Sequence, residues 1–159
     1  MASSPHLIGL ISDTHGLVRP AVHEALKGVQ LILHAGDVGG PEILDELRLI
    51  APVRAVFGNT DPPGAMYLTE SIDVEISGAR IHVSHGDEVG SPTPERLAAR
   101  YDSDVIVYGH SHRQMVTRLN GQLFVNPGAA GPRRFKLSAS VGILTITQGK
   151  AEVRIVDIS

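Results

Sequence analysis

An apolar run that stops at a glycine and then presents two histidines limits this chain more than any other feature. In Val105-Ile106-Val107-Tyr108-Gly109-His110-Ser111-His112, the β-branched and aromatic residues predict a buried strand, and the glycine permits a sharp turn at its end. Two imidazoles at i and i+2 then stand in a loop at the strand's C-terminal edge, where open α/β sheets place their ligands. Four other strand-like runs end in the same way, at Asp13, Asp37, Asn59 and His85. The repetition, more than any single pair, makes the chain readable.

The runs come in a telling order. Leu7 to Ser12 predicts a strand, Pro20 to about Lys27 a helix stopped by Gly28, and Val29 to Ala35 a second strand. Gly40-Pro41 opens a second helix with Ile43, Leu44, Leu47 and Ile50 at helical spacing, and Val53 to Phe57 is a third strand. This β-α-β-α-β order with short connections predicts a parallel sheet with right-handed crossovers. The second half reads as hairpins: Ile72–Ser77 with Arg80–Ser84, Gln114–Leu119 with Leu123–Asn126 around Asn120-Gly121, and a final pair around Gln148-Gly149. One helix lies among them, with Thr93 as N-cap and Pro94 at N1, running to about Tyr101. So few helices cannot cover both faces of one large sheet. The expected fold is an α/β four-layer sandwich, two mixed β-sheets packed face to face and flanked by helices, forming a single domain over residues 1–159.

Composition narrows the function. A net charge of −3 without any basic stripe argues against a nucleic-acid surface. The absence of cysteine restricts any metal to N and O ligands. No N-terminal signal-like pattern and no apolar run of roughly 20 residues occurs, so a cytoplasmic protein with no membrane partner is expected. Of eight histidines, His15, His85, His110 and His112 fall at strand ends. His34 and His82 fall inside strands, as core residues or as supports for the ligands.

The strand-end residues Asp13, His15, Asp37, Asn59, His85, His110 and His112 are all oxygen or imidazole donors, more than one tetrahedral metal needs. They suit two metals about 3.5–4 Å apart that share a bridging carboxylate, Asp37 or Asp13. The charges agree: two divalent ions, two carboxylates and a bridging hydroxide leave a net charge of plus one. Such a cluster attracts a phosphate anion and stabilises charge growing on its oxygens.

Asp13-x-His15, Gly36-Asp37, Gly58-Asn59-x-Asp61, His85-Gly86 and Gly109-His110-x-His112 resemble, in order and spacing, the motifs of the calcineurin-like metallophosphoesterase superfamily. Asn126-Pro127-Gly128 extends the likeness to its small bacterial and archaeal phosphodiesterases. The resemblance implies one metal on Asp13, His15, Asp37 and His112 and a second on Asp37, Asn59, His85 and His110, with Asp37 as the bridge and a metal-bound hydroxide as nucleophile. It implies two divalent ions, with Mn first and Zn, Fe, Ni or Co as alternatives, a small phosphoester substrate in a shallow site, and association into a homo-oligomer.

The resemblance is incomplete at Thr60, where much of the superfamily has a histidine that protonates the leaving group. Threonine can hydrogen-bond a phosphate oxygen but is a poor acid near neutral pH. Asp61, which would orient that histidine, is left without an assigned partner, and Asp87 stands where the subgroup often has another histidine. Asp37, Asn59, Thr60 and Asp61 are expected to carry catalysis, and Asn59, Thr60 and Arg133 to touch substrate. A guanidinium binds phosphate bidentately; a solvated loop is the alternative for Arg133 and Arg134, and Arg113 is expected at the surface. Two functions follow, a metal-dependent phosphodiesterase and a scaffold using the same fold, as one retromer subunit of the superfamily does. A scaffold need not keep histidine at all four metal positions; this chain keeps them.

Overall fold

The computed structural model describes residues 5–62, 65, 67–132 and 137–159. Its first sheet is built from β1 (His6–Ile11), β2 (Leu31–His34), β3 (Val53–Ala55), β9 (Ser140–Thr147) and β10 (Lys150–Asp157), in the order β10-β9-β1-β2-β3. The second holds β4 (Ile72–Ile76), β5 (Ala79–Val83), β6 (Val105–Val107), β7 (Met115–Leu119) and β8 (Gln122–Asn126), in the order β4-β5-β6-β8-β7. Both sheets are mixed. β1, β2 and β3 run parallel, as do β5, β6 and β8, and the hairpin partners run antiparallel.

The period-2 alternation along the strands sorts the side chains into layers. Ile8, Leu10 and Leu33 of the first sheet meet Ile81, Val83, Val105, Val107, Leu123 and Val125 of the second in one core. On the far side of the first sheet, Ile11 and Ile32 pack under α1 (Pro20–Ala25) and α2 (Pro41–Leu47), which contribute Val22, Ile43, Leu44 and Leu47. On the far side of the second, Ile106, Tyr108 and Phe124 pack under Leu97 of α3 (Pro94–Ala98). The four expected layers are present. Helices of six, seven and five residues are marginal in water on propensity alone. Burying each Leu or Ile, worth about 1.5–3 kcal/mol, is what holds them.

Several elements are shorter than their apolar patterns suggest. α1 ends at Ala25, although Leu26 beyond it is fully buried, and α3 ends at Ala98 rather than Tyr101. β3 ends at Ala55, and Val56 continues only as a bridge to Thr69. Burial continues past each end because the chain still packs on the sheet after leaving regular geometry. The hairpin readings hold: Asn120 and Gly121 both have positive φ, 50° and 83°, as a type I′ turn requires, and the Thr93 hydroxyl accepts from the Arg96 N–H.

Strand register decides where the donors go. Ile11 pairs with His34 and His34 with Ala55, so the segments carrying Asp13, Asp37 and Asn59 leave the first sheet at one edge. Val83, Val107 and Val125 are likewise level, so His85, Gly109 and Asn126 leave the second sheet together. No helix among the described residues is long and apolar enough to cross a membrane.

Candidate metal centre

All seven donors named from the sequence converge where these two edges meet. The Oδ1 of Asp13 lies 3.8 Å from His15 Nε2, 3.4 Å from His112 Nε2 and 3.9 Å from His85 Nε2. The Oδ2 of Asp37 lies 3.6 Å from His15 Nε2 and 3.2 Å from His85 Nε2. Asn59 Oδ1 completes the far side, 3.1 Å from His85 Nε2 and 3.2 Å from His110 Nδ1. The imidazoles fall into two pairs, His15 with His112 at 5.3 Å between ring centroids and His85 with His110 at 5.2 Å. Adjacent histidines of the His110-x-His112 pair therefore face opposite halves of the site.

These spacings fit cations. Two atoms each about 2.1 Å from a common ion stand about 3.0–3.4 Å apart, close to most of the separations found. Asp13 is fully buried, and its Oδ1 and His15 Nε2 have no hydrogen-bond partner. Such atoms are costly to bury unless a cation joins them. Two described groups could each hold an ion, Asp13-His15-His112 and Asp13-Asp37-His85. Both carboxylates reach both halves, so distance alone leaves the bridge open between them.

Each carboxylate divides its work. Asp13 Oδ2 accepts from the Ser12 hydroxyl at 2.7 Å and the His110 N–H at 3.2 Å, which leaves Oδ1 facing the cluster. Asp37 Oδ1 accepts from the Thr60 N–H at 2.9 Å, which leaves Oδ2. Each carboxylate therefore offers the cluster one oxygen, Asp13 Oδ1 or Asp37 Oδ2. His85 Nδ1 lies 2.8 Å from the Ala35 carbonyl, to which it donates, so Nε2 points inward as a ligand atom. Burial pulls the His85 imidazole down, but the hydrogen bond to Asp37 and the charges of Asp13 and Asp37 outweigh it and push it up to about 9. Burial likewise opposes ionisation of Asp37, and the same His85 contact overcomes it, holding the carboxyl well below its usual range.

Backbone conformation adds to the picture. Asp13, His15, Asp37, His110 and His112 all have φ between 44° and 72°, a left-handed conformation that costs a non-glycine residue about 1 kcal/mol or more. The glycine beside the histidine pair has a different role from the one expected. Gly109 is absent from the positive-φ residues, so no special turn needs it. A Cβ there would run into Ser12 Oγ and stand 2.7 Å from Asp13 Oδ2, and one at Gly58 would run into Asp37 Oδ1. These glycines make room for ligands.

Thr60 and Asn59 are exposed at the mouth of the site. Asp61 is buried, and its oxygens accept from the N–H groups of Val38 at 3.0 Å, Gly39 at 3.1 Å and Gly58 at 2.9 Å. It is a clamp between two ligand loops, and the missing histidine is not needed to explain it. Asn126 is fully buried and donates to the Gly109 carbonyl and the Ser111 hydroxyl, while accepting from the Gly128 N–H. Its motif was visible in the sequence but its task was not. Nothing beyond adjacency to Asp13 pointed to Ser12. Arg113 is exposed, as expected. His82 lies away from the donors, paired with Asp73 at 2.8 Å and stacked on Tyr101. Arg133 and Arg134 lie outside the described residues.

The family model of the calcineurin-like phosphoesterase superfamily domain matches residues 7–149. A probable metallophosphoesterase of Methanothermobacter thermautotrophicus is 35% identical over 160 residues, covering 94% of this chain and 91% of that protein. The phosphodiesterase YfcE of Escherichia coli K12 is 32% identical over 159 residues, covering 84% of each. Among solved structures, wild-type Vps29 of Entamoeba histolytica complexed with Zn²⁺ matches with a TM-score of 0.75 at 25% identity, over 96% of this chain and 99% of that one.

Proposed function

Because the chain belongs to the calcineurin-like phosphoesterase superfamily, we propose that it hydrolyses phosphodiester bonds with the help of two divalent metal ions. Asp13, His15, Asp37 and His112 would hold one ion, and Asp37, Asn59, His85 and His110 the other. The pairing of His15 with His112 and of His85 with His110 supports that division. The observation that carries the reading is that the buried atoms Asp13 Oδ1 and His15 Nε2 face each other among further donors with no hydrogen-bond partner for either. When bound, such ions lower the pKa of water and neutralise charge on phosphate oxygens. The donor set of nitrogen and oxygen suits Mn, with Zn, Fe, Ni or Co as alternatives, and the zinc complex of Entamoeba Vps29 supports zinc on this fold.

The chain's own groups do the rest. The Thr60 N–H and the Ser12 hydroxyl turn one oxygen of each carboxylate toward the cluster. Asn59 and Thr60, exposed at the mouth, are placed to meet the phosphate, and the Thr60 hydroxyl can donate to one of its oxygens.

The test is hydrolysis of bis(p-nitrophenyl) phosphate by chelator-stripped protein before and after Mn²⁺ is added. Activity should appear only with metal and should vanish in Asp37→Asn. Full activity in that variant would sink the assignment. The likeness to Vps29 favours a second reading, a binding protein that keeps the fold; metal binding without turnover on any phosphodiester would favour it.

A further inference from the structure

His34 is fully buried inside the protein, is not among the seven donors, and has both ring nitrogens engaged by the two loops that carry the carboxylates. Its Nδ1 is 3.1 Å from the Gly36 backbone nitrogen. A peptide N–H can only donate, so Nδ1 must accept and the ring proton must sit on Nε2. Nε2 lies 2.9 Å from the Thr14 hydroxyl, which in turn donates to the Val38 carbonyl at 2.7 Å. The result is a directional chain from the Gly36 N–H through His34 and Thr14 to the Val38 carbonyl.

The chain lands beside strained residues. Thr14 sits between Asp13 and His15, at φ 53° and 44°, and Gly36 and Val38 flank Asp37, at φ 56°. Strained backbone of this kind persists only where surrounding contacts over-determine it. Three backbone hydrogen bonds run alongside, Asp13 N–H to the Gly36 carbonyl, His15 N–H to the Asp37 carbonyl and Gly16 N–H to the Val38 carbonyl, at 2.9–3.0 Å. They set the height of one loop against the other. Beside those backbone bonds, the His34 imidazole joins the two loops through hydrogen bonds at both ring nitrogens, a rigid link of fixed length.

We infer that His34 is a positioning residue for the metal centre, a strut that ties the Asp13-Thr14-His15 loop to the Gly36-Asp37-Val38 loop and sets the separation of the two carboxylates. The inference rests on the dinuclear reading above and adds to it a residue that touches neither metal nor substrate. Groups that orient ligands in this indirect way typically change metal affinity about 10–100-fold when removed.

The experiment uses Mn²⁺ binding by calorimetry and the electron paramagnetic resonance of the Mn²⁺-loaded protein, whose spin-coupled signal reports the distance between the two ions. His34→Asn keeps an acceptor for Gly36 but cannot reach Thr14, Thr14→Val removes the relay, and Thr14→Ser keeps it. Expected are about 10–100-fold weaker Mn²⁺ binding and a lost or altered coupled signal in His34→Asn and Thr14→Val, with wild-type circular dichroism and recovery in Thr14→Ser. If His34→Asn does not fold, the two Thr14 variants decide. Wild-type affinity and coupling in a folded His34→Asn or Thr14→Val overturns the inference alone. A wild-type protein that binds no Mn²⁺ overturns the dinuclear reading, and this inference with it.

Discussion

The Nε2 of His85 lies 3.2 Å from Asp37 Oδ2, while its Nδ1 lies 2.8 Å from the Ala35 carbonyl. One contact orients the ring and the other gives it its charge. Burial favours the neutral ring, yet the Asp37 hydrogen bond and the charges of Asp13 and Asp37 raise it to about 9. In metal-free protein near neutral pH, His85 is thus a cation between two buried carboxylates. A metal ion needs the Nε2 lone pair and must displace that proton. Mn²⁺ affinity at the site that includes His85 should therefore weaken about tenfold per unit as pH falls below about 9, with about one proton released when that site is filled near neutral pH. Calorimetry in buffers of different ionisation enthalpy measures both, and pH-independent binding would count against the assignment. The sign reverses for metal-free stability. A raised histidine stabilises the fold fully below its unfolded value of 6.5, and that contribution is lost as pH rises through about 9. The Tm of stripped protein should fall across that window.

Gly58 and Gly109 supply space for ligands, so alanine should act on the metals before it acts on the fold. In Gly58→Ala the new methyl meets Asp37 Oδ1, and in Gly109→Ala it meets Ser12 Oγ and Asp13 Oδ2. Overpacking of this kind costs about 1–3 kcal/mol of stability. A displaced ligand should also lower kcat/KM about 100-fold, about 2.7 kcal/mol and so near the upper end of that stability cost. Kinetics and thermal melts on the same samples check the ratio, and a large loss of Tm with metal affinity intact would contradict the expectation.

Thr60 leaves the proposed reaction without a side-chain acid for the departing alcohol. Rates on a series of substituted phenyl phosphodiesters should fall steeply as leaving-group pKa rises. Thr60→His should flatten that dependence by supplying an acid near its working pKa. A flat slope in the wild type would show that another group donates the proton.

Asp61 should reveal itself through stability more than through chemistry. Its carboxylate accepts from three backbone N–H groups, and hydrogen bonds to charged groups contribute about 1.5–3 kcal/mol each, not additively. Asp61→Asn places a donor amide against those donors. It should lower ΔG of unfolding in urea by about 2–4 kcal/mol, in chelator-stripped as well as metal-loaded protein. An unchanged midpoint would disprove the clamp.

The donors were readable because each stands at the end of an apolar run, and local pattern alone marks such an end. The hairpin turns were readable for a similar reason, since Asn120-Gly121 supplies both positive φ values without outside help. Helix ends were less legible. Leu26 stays buried after α1 has stopped, and burial is what the apolar pattern reports. The hydrogen bonds of Asp61 and Asn126 were not legible because most of their partners, such as Val38, Gly39 and Gly109, come from distant parts of the chain. No short-range pattern encodes such a partner.

The sequence by itself determined which chemistry was possible. It placed two carboxylates, an amide and four imidazoles at strand ends, excluded thiolate ligation, and alternated its strands so that two sheets had to share a core. Only the tertiary structure decided how those groups divide. Register sets the ends of β1, β2 and β3 opposite those of β5, β6 and β8, and the left-handed backbone at His110 and His112 sends neighbouring rings to opposite halves of the site. It also decided which oxygen of each carboxylate faces inward and made His34 a link between loops. Those outcomes depend on distances between segments remote in the chain, and packing of the two sheets is the force that sets them.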